Sequence, residues 1–569
     1  MRQVLVGFGL GAALLFSAAA LKAESLTADT ILTDGKIVTV DQKNTIAQAL
    51  AIRNGRILAV GSTDEVKKFS GPRTKVIDLE GHTVIPGLID SHIHAIRAGQ
   101  TFSTTLDWSG LKTIKEAMDS IREAAHTSPP GAWIMVLGGW NKDQFAERRA
   151  PTSQDLEEAA PNHPVYVQHL YGFAVLSPLA MKTLNITAET KVPPAGKVEL
   201  DAAGKPTGVI TANGNVPTLA KLVGRLPKPD LQDQIAGTRK FFRALNKSAV
   251  TGILDEAGGG VSPGDYKPLF DVWRDGKLTV RVRFDVTSQK RGHELEDVQS
   301  IMQLIPPRWG DDSLRILGLG EIPIWGMHDG SVNATKPFDG SPEAKKALLD
   351  FATWAAENSY TLHIHASSNH SAEAILDIFE QINRKYPITK LRWAIVHIED
   401  ATDQTLQRMK SLGMGYAVQD RLYYGGNAYM KLHGEKVARR APPIMTAIHT
   451  GLVVGGGTDS IAVSPYNAFV SLHWMVTGKT LTGQLTRGPD ELPSRLEALK
   501  IYTWNSAWLT FDEHEQGSLE KGKLADLAVL DRDYLTVPID DIANIQSVLT
   551  MVGGKVVYAA KPFATDEGK

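Results

Sequence analysis

Two histidines separated by one residue are the first side chains in this sequence whose type and spacing suit chemistry. His92 and His94 follow the apolar run Val84–Ile89. Residues two apart on a β-strand point to the same face, so both imidazole rings would converge. Neutral imidazole is a preferred ligand of zinc and of other divalent transition metals. The pair therefore predicts half of a metal site, with two polar residues on a half-exposed strand as the alternative.

Three further polar residues end apolar runs far downstream. His365 closes Leu-His-Ile-His, His397 closes Trp-Ala-Ile-Val-His, and Asp459 follows Gly-Gly-Gly-Thr. An early His-x-His, two later histidines on separate strands and a late aspartate, in this order, resemble the amidohydrolase superfamily. The chain is therefore interpreted as a metalloenzyme of that type.

The resemblance implies a role for each of these groups. The metal would be bound by four histidines: His92, His94, His365 and His397. Asp459 would take a proton from the attacking water and pass it to the leaving nitrogen. From the residues alone, an aspartate after an apolar strand is equally typical of a helix cap. His363 shares the strand face of His365 and is the alternative ligand.

Glu321 is the expected fifth metal ligand. Many members of the superfamily bridge two metals with a carboxylated lysine at the end of a middle strand, and the corresponding stretch here, Leu317–Glu321, has no lysine but ends in a glutamate. A structural ion pair is the alternative for Glu321. The expected cofactor is a divalent metal, with one or two ions per chain. Zinc is the first choice, and manganese, iron and nickel suit the same donors.

The predicted substrate pocket is aromatic. Tyr171-Gly172-Phe173 stands where the related branch of the superfamily commonly has Asp-Gly-His, and Trp140 and Trp325 are predicted as pocket walls, with core packing as the alternative. Asp329 resembles a family aspartate, followed by glycine, that shapes the pocket. Weaker candidates for substrate contact, more typical of polar loops, are His169, His328 and His370.

Strand-like and helix-like stretches alternate through the middle of the chain. The strand-like runs are Trp133–Leu137, Val165–Leu170, Gly252–Asp255, Leu278–Val286, Leu314–Glu321, Thr361–His365, Trp393–His397, Gly415–Gln419 and Leu452–Asp459. The helical patterns include Ile114–Ala125, Leu231–Leu245, Pro342–Glu357 and Ala372–Ile382. This alternation predicts an α/β fold, a (β/α)8 TIM-like barrel with its site at the carboxyl ends of the strands. An open doubly wound sheet is the alternative, but no glycine-rich phosphate loop opens a helix.

Both ends of the chain are rich in predicted strands. The runs are Ile31–Val40, Ala49–Val60 and Thr74–Val84 at one end, with Asp34-Gly35 and Asn54-Gly55 as hairpin turns, and Leu524–Leu530, Ile545–Val552 and Lys555–Ala559 at the other. The sequence permits, and the resemblance implies, that the two ends pair into one small composite β-sandwich. The predicted sandwich comprises residues 24–86 and 511–569, and the predicted barrel comprises residues 87–510 with a β-hairpin insertion at about 190–215.

Further motifs are similar to the branch of the superfamily that includes N-substituted formamide deformylase. They are Gly138–Asn141, the hairpin pattern Pro193–Ile210, Gln419 at the end of a strand, and Gly517–Leu527. The resemblance implies hydrolysis of a non-peptide carbon–nitrogen bond in a small amide, formamide or cyclic amide. A hydrolytic deaminase of an aminated heterocycle is the nearest alternative, and a degenerate barrel that binds a ligand without turnover is the third.

Composition limits the partners. The 569 residues are 43% hydrophobic with a formal net charge of −2, so no global field attracts nucleic acid, and a small-molecule substrate is expected. The absence of cysteine excludes disulfides, thiolate metal ligands and a cysteine nucleophile. The sequence does not determine the oligomeric state.

The amino terminus predicts export. Arg2 precedes an apolar stretch from Val4 to Ala20, and small residues follow up to Ala23. This pattern is typical of a signal peptide over residues 1–23, cleaved after Ala20 or Ala23, with an uncleaved membrane anchor as the alternative. We expect a periplasmic or secreted protein without stable membrane insertion after cleavage.

Overall fold

The structure is a computed structural model that describes residues 26–192, 196–332, 338 and 340–564. The predicted signal peptide at residues 1–23 lies outside them. Among the described residues, no helix combines the length and the apolar character needed to cross a membrane.

Strands occur in three parts of the chain. The first part contains β1 Thr30–Thr33, β2 Lys36–Val38, β3 Ile46–Ala47, β4 Ala49–Arg53, β5 Arg56–Gly61, β6 Lys75–Asp78 and β7 Thr83–Pro86. The central part contains β8 Leu88–Ile93, β9 Ile134–Val136, β10 Val165–His169, β11 Phe173–Leu176, β12 Lys197–Leu200, β13 Pro206–Thr211, β14 Val250–Asp255, β15 Arg281–Val286, β16 Leu314–Leu319, β17 Thr361–Ala366, β18 Ala394–His397, β19 Gly415–Gln419 and β20 Val453–Gly457. The last part contains β21 Leu527–Leu530, β22 Ser547–Val552 and β23 Lys555–Ala559.

Helices separate most of the central strands. They are α1 Thr63–Lys67, α2 Ala95–Thr101, α3 Ile114–Thr127, α4 Ser153–Ala159, α5 Pro178–Thr183, α6 Val216–Val223, α7 Leu231–Lys247, α8 Lys267–Arg274, α9 Glu294–Met302, α10 Pro342–Glu357, α11 Asn369–Asn383, α12 Asp403–Ser411, α13 Arg421–His433, α14 Glu435–Ala438, α15 Ile444–Thr450, α16 Ala468–Thr477, α17 Arg495–Lys500 and α18 Ser506–Leu509. The four predicted helices appear as α3, α7, α10 and α11. Local signals explain their starts: Thr113 caps α3 in a capping box, and Ser341 caps α10 before a proline.

Eight parallel strands form the barrel, in the order β8, β14, β15, β16, β17, β18, β19, β20. Hydrogen bonds connect the two ends of this order: Asp459 N, just after β20, donates to the His92 carbonyl at 2.8 Å, and Ser91 Oγ donates to the Gly456 carbonyl at 3.0 Å. A Cβ at Gly457 would lie 2.6 Å from His92 N, so glycine permits this close approach. The predicted barrel is confirmed.

Two predicted barrel strands belong to a different sheet. Trp133–Leu137 and Val165–Leu170 form β9 and β10, which lie in a five-stranded sheet in the order β12, β13, β11, β10, β9. The barrel instead begins with β8, the strand of the His-x-His pair. Short apolar runs look alike in either sheet, and only pairing separates them. The predicted hairpin insertion is the antiparallel pair β12 and β13 of this sheet, although residues 193–195 lie outside the described part.

The two ends of the chain form a sandwich of two sheets, as the fold class predicts. The sheet orders are β5, β4, β1, β6 and β23, β22, β21, β7, β2, β3, with β7 and β21 antiparallel. Leu32, Ile52 and Leu527 are buried between the sheets. The hairpin turn at Asn54-Gly55 is confirmed, but the one at Asp34-Gly35 is wrong, because β1 and β2 pair in different sheets.

Candidate metal centre

Six buried side chains meet at the carboxyl ends of the barrel strands. They come from β8 (His92, and His94 directly after it), from the residues after β16 and β20 (Glu321 and Asp459), from β17 (His365) and from β18 (His397). Their ligand atoms form three overlapping groups, each with a spread that fits a metal ion: His92, His94 and Glu321; His92, His397 and Asp459; Glu321, His365 and His397. The structure thus brings together all six residues predicted for the metal and for proton transfer.

Glu321 stands between two pairs of histidines. Its Oε1 lies 3.4 Å from His94 Nε2, whereas its Oε2 lies 3.0 Å from His365 Nδ1 and 3.4 Å from His397 Nε2. His92 Nε2 also lies on the Oε2 side, at 3.8 Å, so Oε1 faces His94 while Oε2 faces the other three histidines. A carboxylate whose two oxygens face different histidines could contact two metal ions.

Asp459 closes the opposite side of the cluster. Its Oδ1 lies 3.1 Å from His94 Nε2 and 3.6 Å from His92 Nε2. Its Oδ2 lies 3.9 Å from the Arg421 guanidinium. Asp459 has a φ of 54° and His397 a φ of 83°. Such left-handed backbone is uncommon outside glycine and concentrates at functional sites.

Outer hydrogen bonds decide which ring nitrogen three of the four histidines present to the cluster. His94 Nδ1 donates to the Ala257 carbonyl at 3.1 Å, and His397 Nδ1 donates to Gln419 Oε1 at 2.6 Å. His365 is reversed, because its Nε2 donates to the Gly330 carbonyl at 2.8 Å and lies 3.2 Å from Asp329. The hydrogen-bonded nitrogen carries the proton, and the other nitrogen is left to bind an ion.

Two of these nitrogens support a metal at this place. His92 Nε2 and His397 Nε2 are buried, and neither has a hydrogen-bond partner within the described ranges. Burying polar atoms without a partner is costly, and a cation held between them would satisfy both. Imidazole and carboxylate donors without sulfur suit zinc, manganese, iron or nickel. The residues therefore fit a divalent metal.

The protonation states of four members of the cluster agree with that fit. Burial opposes ionisation of Glu321 and Asp459, but the neighbouring histidines hold the pKa of both carboxyl groups well below the ordinary range. Burial lowers the pKa of His92 and of His397. His365 is the exception, because burial is outweighed by Asp329 and Glu321, which raise its pKa to about 10, so that an ion would have to displace a proton from this imidazole. Ionised carboxylates and neutral imidazoles are the forms that bind metals.

His363 faces the barrel interior rather than the metal cluster. Its Nδ1 lies 2.8 Å from Glu256 and 3.5 Å from Asp285, and all three residues are buried. Burial raises the pKa of both carboxyl groups well above the ordinary range, and the charge of Glu321 adds to the rise at Glu256 while the charge of Glu256 adds to the rise at Asp285. Of the two histidines on β17, His365 is the one beside Glu321.

A cavity opens above the cluster. Tyr171, Trp325 and His328 form its aromatic walls, and the arginines Arg97 and Arg421 line it as well. His328 stacks on His365 with ring centroids 4.2 Å apart. Arg421 is buried and paired with Glu399 at 2.5 Å.

The sequence reasoning missed both arginines, although a signal was present. Arg97 comes three residues after His94, and Arg421 comes two residues after the end of β19. Charged residues directly after barrel strands lie at the face that carries the site. Position relative to the strands would therefore have singled them out.

Three residues predicted to contact substrate do not line the cavity: Trp140, Phe173 and Asp329. Trp140 is fully buried, stacks on Phe145 and donates Nε1 to the Gln168 carbonyl at 2.7 Å. Phe173 stacks on His169 at 4.5 Å. Both belong to the apolar core beside the five-stranded sheet, because these strands lie outside the barrel.

Other predicted contacts have different places. Asp329 accepts hydrogen bonds from Ser367 N at 2.9 Å and lies against His365, so it faces the cluster from behind rather than the cavity. His370 is exposed beside Phe338 on α11. His169 lines a second recess, which shares Tyr171 and Arg421 with the cavity.

Comparison with known proteins covers nearly the whole chain. The sequence model of the amidohydrolase family matches residues 75–558. The N-substituted formamide deformylase of Arthrobacter pascens is 26% identical over 552 residues, which cover 93% of this chain and 98% of that protein.

Solved structures show the same fold. An uncharacterised metal-dependent hydrolase from Pyrococcus horikoshii superposes with a TM-score of 0.65 at 22% identity, covering 90% of this chain and 99% of its own. The atrazine chlorohydrolase of Arthrobacter aurescens, in complex with zinc, superposes with a TM-score of 0.53 at 15% identity, covering 95% and 97%. At these identities the likeness concerns the fold alone.

Proposed function

The chain belongs to the amidohydrolase family and is a hydrolase of carbon–nitrogen bonds other than peptide bonds, and from that premise we propose that it cleaves a small amide, formamide or cyclic amide. The observation that carries the proposal is the position of Glu321, between two histidine pairs at the floor of an accessible cavity. A carbonyl entering this cavity meets the metal cluster first. The matching relative named as a formamide deformylase supports an acyl–nitrogen substrate.

We propose two divalent ions, zinc in the first place. His92 and His94 would hold one, His365 and His397 the other, and Glu321 would contact both. When bound, such ions supply Lewis acidity, which polarises a carbonyl and makes water a better nucleophile at neutral pH.

Asp459 is the proposed proton carrier. Its Oδ1 faces the histidines while its Oδ2 faces Arg421, which lines the cavity, so the carboxylate reaches both sides of the reacting centre. It would accept a proton from the attacking water and deliver it to the leaving nitrogen. Tyr171 and Trp325 would hold the substrate from the sides.

The test of the reaction compares released products. Metal-loaded enzyme is incubated with N-alkylformamides, N-acetylamines and cyclic imides, and with aminated heterocycles for comparison. Release of amine or ring-opened acid supports the proposal; release of ammonia from the heterocycles alone would replace it with a deaminase. Asp459→Asn that retains its metal is expected to lose activity, whereas the exposed control Asp64→Asn is expected to keep it.

The test of the metal centre is elemental analysis of protein purified without chelator. We expect about two ions per protomer, fewer in His92→Ala and in Glu321→Ala, and no change in His370→Ala, whose imidazole is exposed. One ion in the wild type, unaffected by Glu321→Ala, would contradict a bridging role for Glu321.

We also propose export, on the strength of the pattern at residues 1–23. Expression of the full chain with fractionation of the cells, and mass determination of the amino terminus, test it. A periplasmic product that begins at Leu21 or Glu24 is expected. An uncleaved cytoplasmic product would contradict it.

A further inference from the structure

The charged residues that line the cavity divide into two kinds. Glu321 and Asp459 belong to the metal cluster, where bound ions would more than balance their charge. Within the described ranges, the remaining charged lining residues are Arg97 and Arg421. Among the described residues, no acidic side chain other than the cluster's own lines this cavity. The cavity therefore attracts negative charge.

The positive charge of Arg421 is already balanced by an ion pair with Glu399. Its Nη2 donates to Glu399 Oε1 at 2.5 Å and to Ser367 Oγ at 3.2 Å. Both members of the ion pair are buried, so the guanidinium is held in one place by its own partner. Arg421 can orient a substrate, but its charge is largely neutralised.

Arg97 differs, because no acidic partner contacts it in the part of the chain that the structure describes. It is half-buried, its Nη1 donates at 3.4 Å to the Gly259 carbonyl, and no carboxylate of the described residues lies within 4.0 Å of it. A partly desolvated guanidinium of this kind is stabilised by an anion. Its long-range interaction with the buried carboxyl of Asp255 is the competing structural role.

Two neighbours give Arg97 the surroundings of a recognition site. Burial raises the pKa of Tyr171, while Arg97 beside its hydroxyl opposes that shift, so the hydroxyl is a neutral donor next to the guanidinium. Gly259 lies close to the Trp325 ring, since a Cβ at position 259 would be 3.2 Å from a ring atom of Trp325. A guanidinium, a hydroxyl and an apolar wall thus face one space.

We propose that the substrate carries a carboxylate, bound by the Arg97 guanidinium and the Tyr171 hydroxyl, while its scissile amide lies on the metal cluster. This inference rests on the proposed function and specifies its substrate class. Arg97 lies three residues after His94, the N-cap residue of α2, and both residues line the same cavity. The carboxylate and the amide would therefore share one cavity, as in an N-acyl amino acid or a cyclic amide with a carboxymethyl group.

The experiment uses pairs of compounds that differ in the carboxylate. N-formylphenylalanine is compared with N-formyl-2-phenylethylamine, and hydantoin-5-acetic acid with 5-ethylhydantoin, on the metal-loaded enzyme. Turnover gives kcat/KM, and calorimetric titration gives Kd for compounds that are not hydrolysed. Since a charge-assisted hydrogen bond contributes about 1.5–3 kcal/mol, we expect the acid to be favoured by about ten- to a hundredfold.

The variants separate recognition from a structural role. Arg97→Met is expected to abolish the preference for the acid by lowering kcat/KM or affinity for the acid alone. Arg97→Lys is expected to retain part of the preference, and Tyr171→Phe is expected to reduce it. The matched control Arg122→Met removes the same charge from an exposed position on α3 and is expected to change nothing. A loss by Arg97→Met that is equal for both members of a pair, together with a lower Tm, would show that Arg97 serves Asp255 instead.

The outcomes of the two proposals are distinguishable. Hydrolysis of the neutral members without preference for the acids overturns the carboxylate inference and leaves the amidohydrolase proposal standing. Arg97-dependent binding of an acid without any hydrolysis supports the inference and contradicts the choice of amide substrates. Failure of both acids to bind or react overturns the inference.

Discussion

Gln419 holds the ring of His397 in the metal-binding orientation. It is the last residue of β19, and its Oε1 accepts the His397 Nδ1 proton at 2.6 Å, with both side chains buried. This bond places the proton on Nδ1 and leaves Nε2, at 3.4 Å from Glu321, to bind an ion. In Gln419→Ala the buried Nδ1 loses its acceptor, and the ring is free to change tautomer or rotate. We expect the metal to be held more weakly.

The magnitude follows from that single bond. Leaving one buried donor without its partner costs about 1–3 kcal/mol. At about 1.4 kcal/mol for each factor of ten, this corresponds to roughly a five- to 150-fold loss of affinity. Removal of the outer partners of metal-binding histidines costs about 10- to 100-fold in metal affinity, which agrees.

The assay is competition for zinc with a chromophoric chelator. Gln419→Glu retains an acceptor for Nδ1 and is expected to keep most of the affinity. Gln168→Ala is the matched control, because Gln168 is also buried and hydrogen-bonded but lies on β10, outside the barrel. Equal zinc affinity in wild type, Gln419→Ala and Gln168→Ala would refute the reasoning. A loss equal in Gln419→Ala and Gln419→Glu would refute the role of the acceptor.

Four further predictions concern stability and the metal. The Cβ of Gly457→Ala would lie 2.6 Å from His92 N, so this variant is expected to contain less metal by elemental analysis. Gly110→Ala, whose Cβ would meet no atom within 4 Å, is expected to keep its metal. An unchanged metal content in Gly457→Ala would contradict the role of this close contact. Glu399→Gln removes the carboxylate that pairs with the buried Arg421 and is expected to lower the free energy of unfolding by about 3–5 kcal/mol. The double variant that adds Arg421→Met is expected to lose less. A loss below about 1 kcal/mol, measured by urea titration, would contradict this. Burial lowers the pKa of His169 to about 4. Between pH 6.5 and 4 the unfolded chain therefore binds a proton that the folded chain does not, and the free energy of unfolding is expected to fall by up to about 3 kcal/mol as the pH drops through this range. His169→Phe is expected to lack that part of the fall. Identical pH profiles of the unfolding free energy in wild type and His169→Phe would refute the assignment. Chelation is expected to lower the Tm of the wild type more than that of His92→Ala, since each bound ion stabilises the folded protein and this variant holds fewer ions.

The candidate metal residues were predictable because each one ends or follows a strand with a local signature. A buried parallel strand reads as a short apolar run, and the residue after it lies at the site-bearing face of a barrel. His92, His365 and His397 carry that pattern within a few residues of sequence. The choice between His363 and His365 was beyond the pattern, because both share one face of β17 and differ only in depth along the barrel axis.

The sequence by itself determined the alternation of strands and helices, the β-rich ends and the types of residue that can bind a metal. Each of these depends only on the residue types and their spacing within short stretches of the chain. Tertiary structure alone decided that β9 and β10 leave the barrel, that Trp140 packs in a core, and that Arg97 faces the cavity with no acidic partner among the described residues. These features depend on which distant segments pair and dock. Apolar runs, aromatic rings and arginines have the same local pattern in either place, so only the long-range contacts distinguish a wall of the site from the interior of a neighbouring sheet.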